Sequence, residues 1–214
     1  MEISNIKKWI RPAVDALPSK RVLLIAFVLL LIFLLVASPL FNRLMYPLRY
    51  EENIFNSAQN TGADPFLIMA IIRAETQFDP DGESRVGAQG LMQLMPGTVD
   101  DIVKRGGFSP GIVNYIKDPA INIQLGSWYI ASLTERYHGN KVAVMAAYNA
   151  GPGKVDRWLK NGTWDGTSQH ASQIPFWETR NYVQRVSFYY EKYKQLYNDR
   201  YENYLQKQKN HRQN

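Results

Sequence analysis

The chain has 214 residues, 45% of them hydrophobic and 21% charged, with a formal net charge of +6. These proportions suit a folded protein with room for one domain of ordinary size. It has no cysteine, which excludes disulfides, thiolate metal sites, a cysteine nucleophile and a lipid carried on an N-terminal cysteine. The three histidines, His138, His170 and His211, lack metal-ligand spacing, so no metal or other cofactor is expected. No nucleic-acid motif is present. The basic charge therefore points to a membrane surface or an anionic wall polymer, and nucleic acid is not an expected partner.

From Val22 to Phe41 no charge interrupts an apolar run. Twenty residues at the helical rise cover about 30 Å, the thickness of a bilayer core. A buried core helix is disfavoured, since no face is polar over all twenty residues. A cleaved signal peptide is disfavoured by the length of the run. The nearest small-residue site, Val36-Ala37-Ser38, is also followed at once by Pro39. The run reads as an uncleaved signal anchor. Lys7, Lys8, Arg11, Lys20 and Arg21 precede it, whereas Arg43 and Arg49 follow it with Glu51 and Glu52 close behind. That bias places the N-terminus inside. The expected organisation is a short cytoplasmic segment over 1–21, a single membrane pass over 22–41, an extracytoplasmic domain over 42–200 and a polar tail over 201–214.

The rest reads as helices. Tyr50 to Asn60 puts Ile54, Phe55 and Ala58 on one face. Asp64-Pro65 is a helix start, with Asp as N-cap and Pro at the first helical position, and the helix runs through Glu75 before Asp79-Pro80. Asp118-Pro119 opens a long helix to about Tyr137, with Leu125, Trp128, Tyr129 and Leu133 at helical spacing. Lys141 to Asn149 is stopped by Gly151-Pro152-Gly153, Val155 to Lys160 is short, and a last helix runs from Phe176 to about Gln206. Residues 162–174 carry no periodicity, and the terminal residues are expected to fray. No segment alternates as a strand. The fold class is mainly α, in one domain.

Glu75 stands out. It follows Ile68, Ile71 and Ile72 on one helix face, so a carboxylate closes an apolar stripe in the last turn of its helix. Desolvation and the negative end of the helix dipole both disfavour its charge. Its pKa should rise, as a general acid working near neutral pH requires. A glutamate at a helix end can equally turn out to solvent, so the stripe alone is a weak signal.

Its neighbours strengthen it. Glu75-Thr76-Gln77-Phe78 is followed by Ser84 to Pro96 (SRVGAQGLMQLMP), Ala147 to Gly153 (AYNAGPG) and Ile174 to Val183 (IPFWETRNYV). Gly87, Ala88 and Gly90 are small enough to let the backbone approach a ligand or another segment. Ser84 and Gln93 offer hydrogen bonds to a polar ligand, and as isolated residues would more often be solvated surface or a cap. Tyr148 and Tyr182 offer ring faces and hydroxyls, and as isolated residues would pass for core aromatics. Together, over about residues 50–195, these blocks resemble the soluble lytic transglycosylase family of peptidoglycan-cleaving enzymes, whose catalytic domain is goose-lysozyme-like. The one departure is Thr76, where that family usually has Ser; the hydroxyl is kept and a methyl is added.

The resemblance implies a single lysozyme-like helical domain, preceded here by one transmembrane helix, acting on peptidoglycan glycan strands. It implies that Glu75 is acid and then base, and that Ser84, Gln93 and Met95 line the cleft beside the scissile bond. Tyr148 and Tyr182 would orient Glu75 or the N-acetyl group, and Asn149 would shape the site. It also implies one catalytic carboxylate, with Asp79 and Asp81 as turn formers. The expected reaction cleaves the MurNAc–GlcNAc β-1,4 bond and leaves a 1,6-anhydro end. A muramidase using water on the same bond and a non-catalytic glycan-binding scaffold are the alternatives, and partners in the wall machinery stay unidentified.

Overall fold

A proline divides the apolar N-terminal run. In the computed structural model, which describes residues 19–213, helix α1 (Lys20–Ala37) stops at Ser38 and α2 (Pro39–Met45) begins. The residue before a proline is pushed out of the helical region. Ser38 accordingly is extended (φ −68°, ψ 141°), and its Oγ accepts the Phe41 N–H at 3.1 Å. The segment expected over 22–41 is thus two helices. With 18 residues, a mean hydropathy of 2.7 and no buried side chain, α1 is long and apolar enough to cross a membrane. Lys7, Lys8 and Arg11, in the segment expected to be cytoplasmic, lie outside the described residues. This unit, Met1–Pro47, is distinct from the unit Leu48–Asn214.

The second unit is built around α4 (Pro65–Glu75). Asp64 starts it by accepting the Phe66 N–H on its side chain at 3.0 Å. Every residue from Pro65 to Ile72 is buried, so α4 is apolar all round and is the central helix. Around it pack α3 (Glu51–Thr61), α6 (Pro119–Arg136) and, most extensively, α9 (Trp177–Gln213). Ile54, Phe55 and Ala58 of α3 are buried, as their spacing predicts. Asp118 caps α6 and Asn140 caps α7 (Lys141–Ala150), each accepting two backbone N–H groups. The short α8 (Pro152–Lys160) follows Gly151 directly, with Pro152 as its first residue.

Two features depart from the sequence reading. Helix α5 (Pro96–Gly106) and a 3-10 turn (Pro110–Tyr115) fill a region where no element is expected. Only Val99 and Ile102 of α5 are buried, too narrow a stripe to show a period beside Gly97 and Gly106. Helix α9 continues past Gln206 to Gln213. Residues 162–174 form a loop, as their lack of periodicity implies, and wind around Asp165, whose carboxylate accepts from the Thr167 N–H and hydroxyl and pairs with His170 Nδ1 at 2.6 Å. These contacts, the Thr167 hydroxyl first, hold the Asp165 carboxyl down at about 2.

Among the described residues there is no strand, only two isolated bridges, Glu83–Gln89 and Gln89–Leu94, which fold the loop after α4 back on itself. Asn122 of α6, wholly buried, fastens that loop to the core. Its Oδ1 accepts the Met92 N–H at 2.8 Å, and its Nδ2 donates to the carbonyls of Gln89 (3.0 Å) and Ile116 (2.8 Å). Gly90 is a glycine for two reasons: its φ is +71°, and a Cβ there would stand 2.3 Å from Asn122 Nδ2. Replacing Asn122 by Ala strands two buried backbone groups, the Met92 N–H and the Ile116 carbonyl, whereas the Gln89 carbonyl keeps the Leu94 N–H at 3.1 Å. We expect Asn122→Ala to lose about 3–5 kcal/mol in urea denaturation; a loss below about 1 kcal/mol would show that other contacts hold the loop.

Candidate active site

Glu75 is the last residue of α4, so the central helix delivers its carboxyl to the point where the chain leaves the core. The exit is sharp. Gln77 and Phe78 both take positive φ values (56° and 68°), and Phe78 is fully buried with its ring 6.1 Å from that of Tyr193. Two consecutive non-glycine residues in that region cost about 1–3 kcal/mol each, an outlay sustained by the buried Phe78. Thr76 adds a second anchor: its Oγ1 donates to the carbonyl of Leu91 at 2.8 Å and lies 3.3 Å from that of Ile72. Its methyl fills the space where Gly82 has no side chain, since a Cβ on Gly82 would stand 2.7 Å away. The methyl added at this position thus packs on the loop.

The loop Gly82 to Met95 carries Ser84, Gln93 and Met95, the three residues expected to line the cleft. Ser84 Oγ accepts the Ala88 N–H at 2.9 Å, closing the turn that exposes Val86. Gln93, at φ +49°, donates Nε2 to the carbonyls of Gly82 (2.8 Å) and Gly90 (3.0 Å). Its amide nitrogen is thus committed to the loop, and its oxygen is the part left to meet a ligand. Met95 is 40% exposed at the N-cap of α5. Gly90, as expected of a small residue here, allows a close backbone approach, whereas Gly87 answers to a turn at φ +86°.

The two tyrosines divide their work. Tyr148 donates its hydroxyl to the Met92 carbonyl at 2.8 Å, so it holds the loop and feels Glu75 through charge. Tyr182 of α9 is buried, and its hydroxyl finds no partner of good hydrogen-bond geometry. It nevertheless interacts with the Glu75 carboxyl, at a geometry poorer than a formed bond. Asn149, at the end of α7, accepts the hydroxyl proton of buried Thr179 at 2.7 Å, which fixes the first turn of α9. The long-range bonds of Asn122, Thr76 and Thr179 are missed by sequence reasoning. Each acts over 15 residues or more, and no local period marks such a pair.

Burial raises the Glu75 pKa from 4.5 to about 7. Tyr182 and the guanidinium of Arg185 draw it down, and the charge of Glu178 pushes it up. Asp79 and Asp81 are exposed turn residues, the first accepting the N–H of the second at 3.1 Å. Glu83 is paired with Lys117 at 2.6 Å. Among the described residues no group of three or more His, Asp or Glu could hold a metal ion. The arrangement is a proton donor poised near neutrality, beside a phenol and a loop of polar backbone.

The transglycosylase SLT domain model matches residues 52–171. The chain is 37% identical over 161 residues to the soluble lytic murein transglycosylase of Escherichia coli K12, covering 72% of this chain and 24% of that protein. It is 36% identical over 118 residues to the membrane-bound lytic murein transglycosylase C of Edwardsiella ictaluri, covering 51% of this chain and 33% of that one. Among solved structures, an inactive mutant of the lytic transglycosylase Slt of Pseudomonas aeruginosa superposes with a TM-score of 0.66 at 38% identity, over 73% of this chain and 25% of that one. A complex of the 70-kDa soluble lytic transglycosylase with bulgecin A gives a TM-score of 0.65 at 34% identity, over 72% and 25%. The fold is therefore the expected lysozyme-like helical one. The chain spans about a quarter of the length of the soluble relatives it matches.

The Glu75 pKa has a consequence for stability. Unfolded, Glu75 loses its proton near 4.5; folded, near 7. Between these values the folded state keeps a proton that the unfolded state has released. Its stabilising contribution is thus complete below pH 4.5 and is lost as pH rises through 7. We expect Glu75→Gln to be more stable than the parent above pH 7, by about 1–3 kcal/mol, and to show no such advantage at pH 4. Thermal melts of both proteins across that range check this, and a constant difference would mean that Glu75 titrates alike in both states.

Proposed function

The chain belongs to the transglycosylase SLT domain family, and we propose that it is a membrane-anchored lytic transglycosylase that cuts the MurNAc–GlcNAc β-1,4 bond of peptidoglycan and leaves a 1,6-anhydro-MurNAc end. The observation that carries this reading is a carboxyl raised to about 7 at the end of a buried helix, the one carboxyl so raised among the described residues, facing Tyr182. Most glycosidases pair two carboxylates across the scissile bond. Here the acidic side chain that acts on Glu75 is Glu178, exposed and of like charge. Asp79, Asp81 and Glu83 are engaged in a turn and an ion pair.

A single carboxyl suffices if the substrate supplies the other groups. Protonated Glu75 donates to the glycosidic oxygen as the C1–O bond breaks. The acetamido oxygen of the same MurNAc stabilises the positive charge at C1. Glu75, now a carboxylate, takes the proton of the C6 hydroxyl, and that oxygen bonds to C1. One bond breaks, one forms, the proton returns to Glu75, and no water is consumed. An internal hydroxyl held at C1 competes well with solvent because its effective concentration is high. Tyr182 orients the carboxyl, Tyr148 secures the loop at Met92, and Ser84, Gln93, Met95 and Asn149 border the strand. The inactive Slt mutant among the related structures supports a reading in which one side chain is decisive.

The anchoring half of the proposal is supported by the length and apolarity of α1 and by the basic residues ahead of it. A membrane-bound relative supports it too. The domain then lies outside the cytoplasmic membrane, where the wall is.

Mass spectrometry of products from purified peptidoglycan and the full chain in detergent tests the chemistry. Products should end in 1,6-anhydro sugar and resist borohydride reduction; reducible ends would make the enzyme a muramidase. Glu75→Gln should lower turnover by about 10³-fold or more. Because the acid must enter the reaction protonated, kcat/KM should fall about tenfold per pH unit above 7. A profile flat through pH 8 would remove Glu75 from the role of acid.

A further inference from the structure

Helix α9 buries one side and shows a different composition on the other. Tyr182, Val183, Val186, Tyr190 and Tyr193 face the core. On the outer side, Trp177, Asn181, Gln184 and Phe188 are all exposed, and their spacing sets them within about 60° of one another around the helix. Trp177 is 72% exposed and Phe188 51%. A large ring left in water forgoes the burial that usually makes it worth having. Two such rings on one face, about 16 Å apart along the axis, with two carboxamides between them, form a patterned surface.

We propose that this outer face of α9 is a glycan-binding surface, separate from the cleft at Glu75, that takes a strand of N-acetylated β-1,4-linked hexosamines. The C–H faces of pyranose rings stack on Trp177 and Phe188, and Asn181 and Gln184 each offer donors and an acceptor to hydroxyl and acetamido groups. Lys192 lies beside the strip, over the ring of Phe188 at 5.8 Å, and exposed Glu191 lies on its other edge, so the two charges offset and the strip selects by stacking and hydrogen bonds. The strip is continuous with the site through the helix itself, since α9 also carries Tyr182 to Glu75. The surface would hold the insoluble wall while the cleft works on it. This inference rests on the reading that the domain acts on wall glycan.

The test compares the full chain in detergent with Trp177→Ala/Phe188→Ala and Asn181→Ala/Gln184→Ala. Binding to purified peptidoglycan sacculi is measured in the Glu75→Gln background, so that nothing is digested. Turnover of short soluble glycan strands is measured with Glu75 intact. Each pair should weaken sacculus binding about tenfold, including at high salt, where stacking persists and ion pairing is screened. Turnover of the short strands should stay within about twofold of the parent, well under the tenfold that 1.4 kcal/mol represents, with unaltered melting temperature. Unchanged sacculus binding would overturn the proposal. So would a parallel fall in short-strand turnover, which would make the face part of the cleft. Loss of wall lysis in cells with sacculus binding intact would assign the face to a protein partner and also overturn it. Failure of the parent to cleave any strand, with binding still lost in the variants, would instead remove the lytic reading and leave the surface.

Discussion

One buried amide fixes the geometry on which the site depends. Asn122 makes three hydrogen bonds from the interior of α6, and all three end on backbone outside that helix. Two of them hold Gln89 and Met92, in the loop that carries Gln93 and Met95 past Glu75. A carboxamide in this position satisfies a backbone that no strand or helix satisfies, and it leaves none of its own donors unmet. The loop can therefore be irregular at its surface and still be fixed at its base. Tyr148 and Thr76 reinforce the same base from α7 and α4. Gly90 and Gly126 give it room, since a Cβ on Gly126 would stand 2.2 Å from the Met92 sulfur.

The Glu75 carboxyl, one residue before the Thr76 bond to that loop, is held at a cost in stability. An ordinary glutamate at a helix end would ionise freely and add solubility. Glu75 is kept half-buried, so neutrality of the medium is near its own midpoint. Two strained residues, Gln77 and Phe78, turn the chain away immediately afterwards. Both costs fall within a few residues of each other and are met by the packing of α4 under α9 and α3. Arg185 and Glu178, on either side of Tyr182 along α9, act on the carboxyl in opposite senses.

What could be read from sequence followed from range. Asp64-Pro65 and Asp118-Pro119 announce helix starts because capping is local, and both helices begin there. The rise in the Glu75 pKa was legible because its largest cause, burial, follows from Ile68, Ile71 and Ile72 within two turns. Helix α5 was not, because its stripe is two residues wide. Nor were the bonds of Asn122, Thr76 and Thr179, which join segments far apart in the chain. Tyr148 and Tyr182 look alike in sequence, and only the fold separates the one that holds the loop from the one that meets Glu75.

The link between α2 and α3 is short. Met45 ends one helix and Glu51 begins the next, and the five intervening residues extend over about 17 Å at most. Under the proposed anchoring through α1, a domain on such a leash would not roam the thickness of a wall. Its working volume would be a thin shell above the bilayer, searched in two dimensions, and strands outside that shell would be beyond its grasp however well they fit the cleft. Residence on the innermost strands would then be decided by lateral diffusion and by whatever slows it. Lengthening the link would change which strands are cut without altering how any one of them is cut.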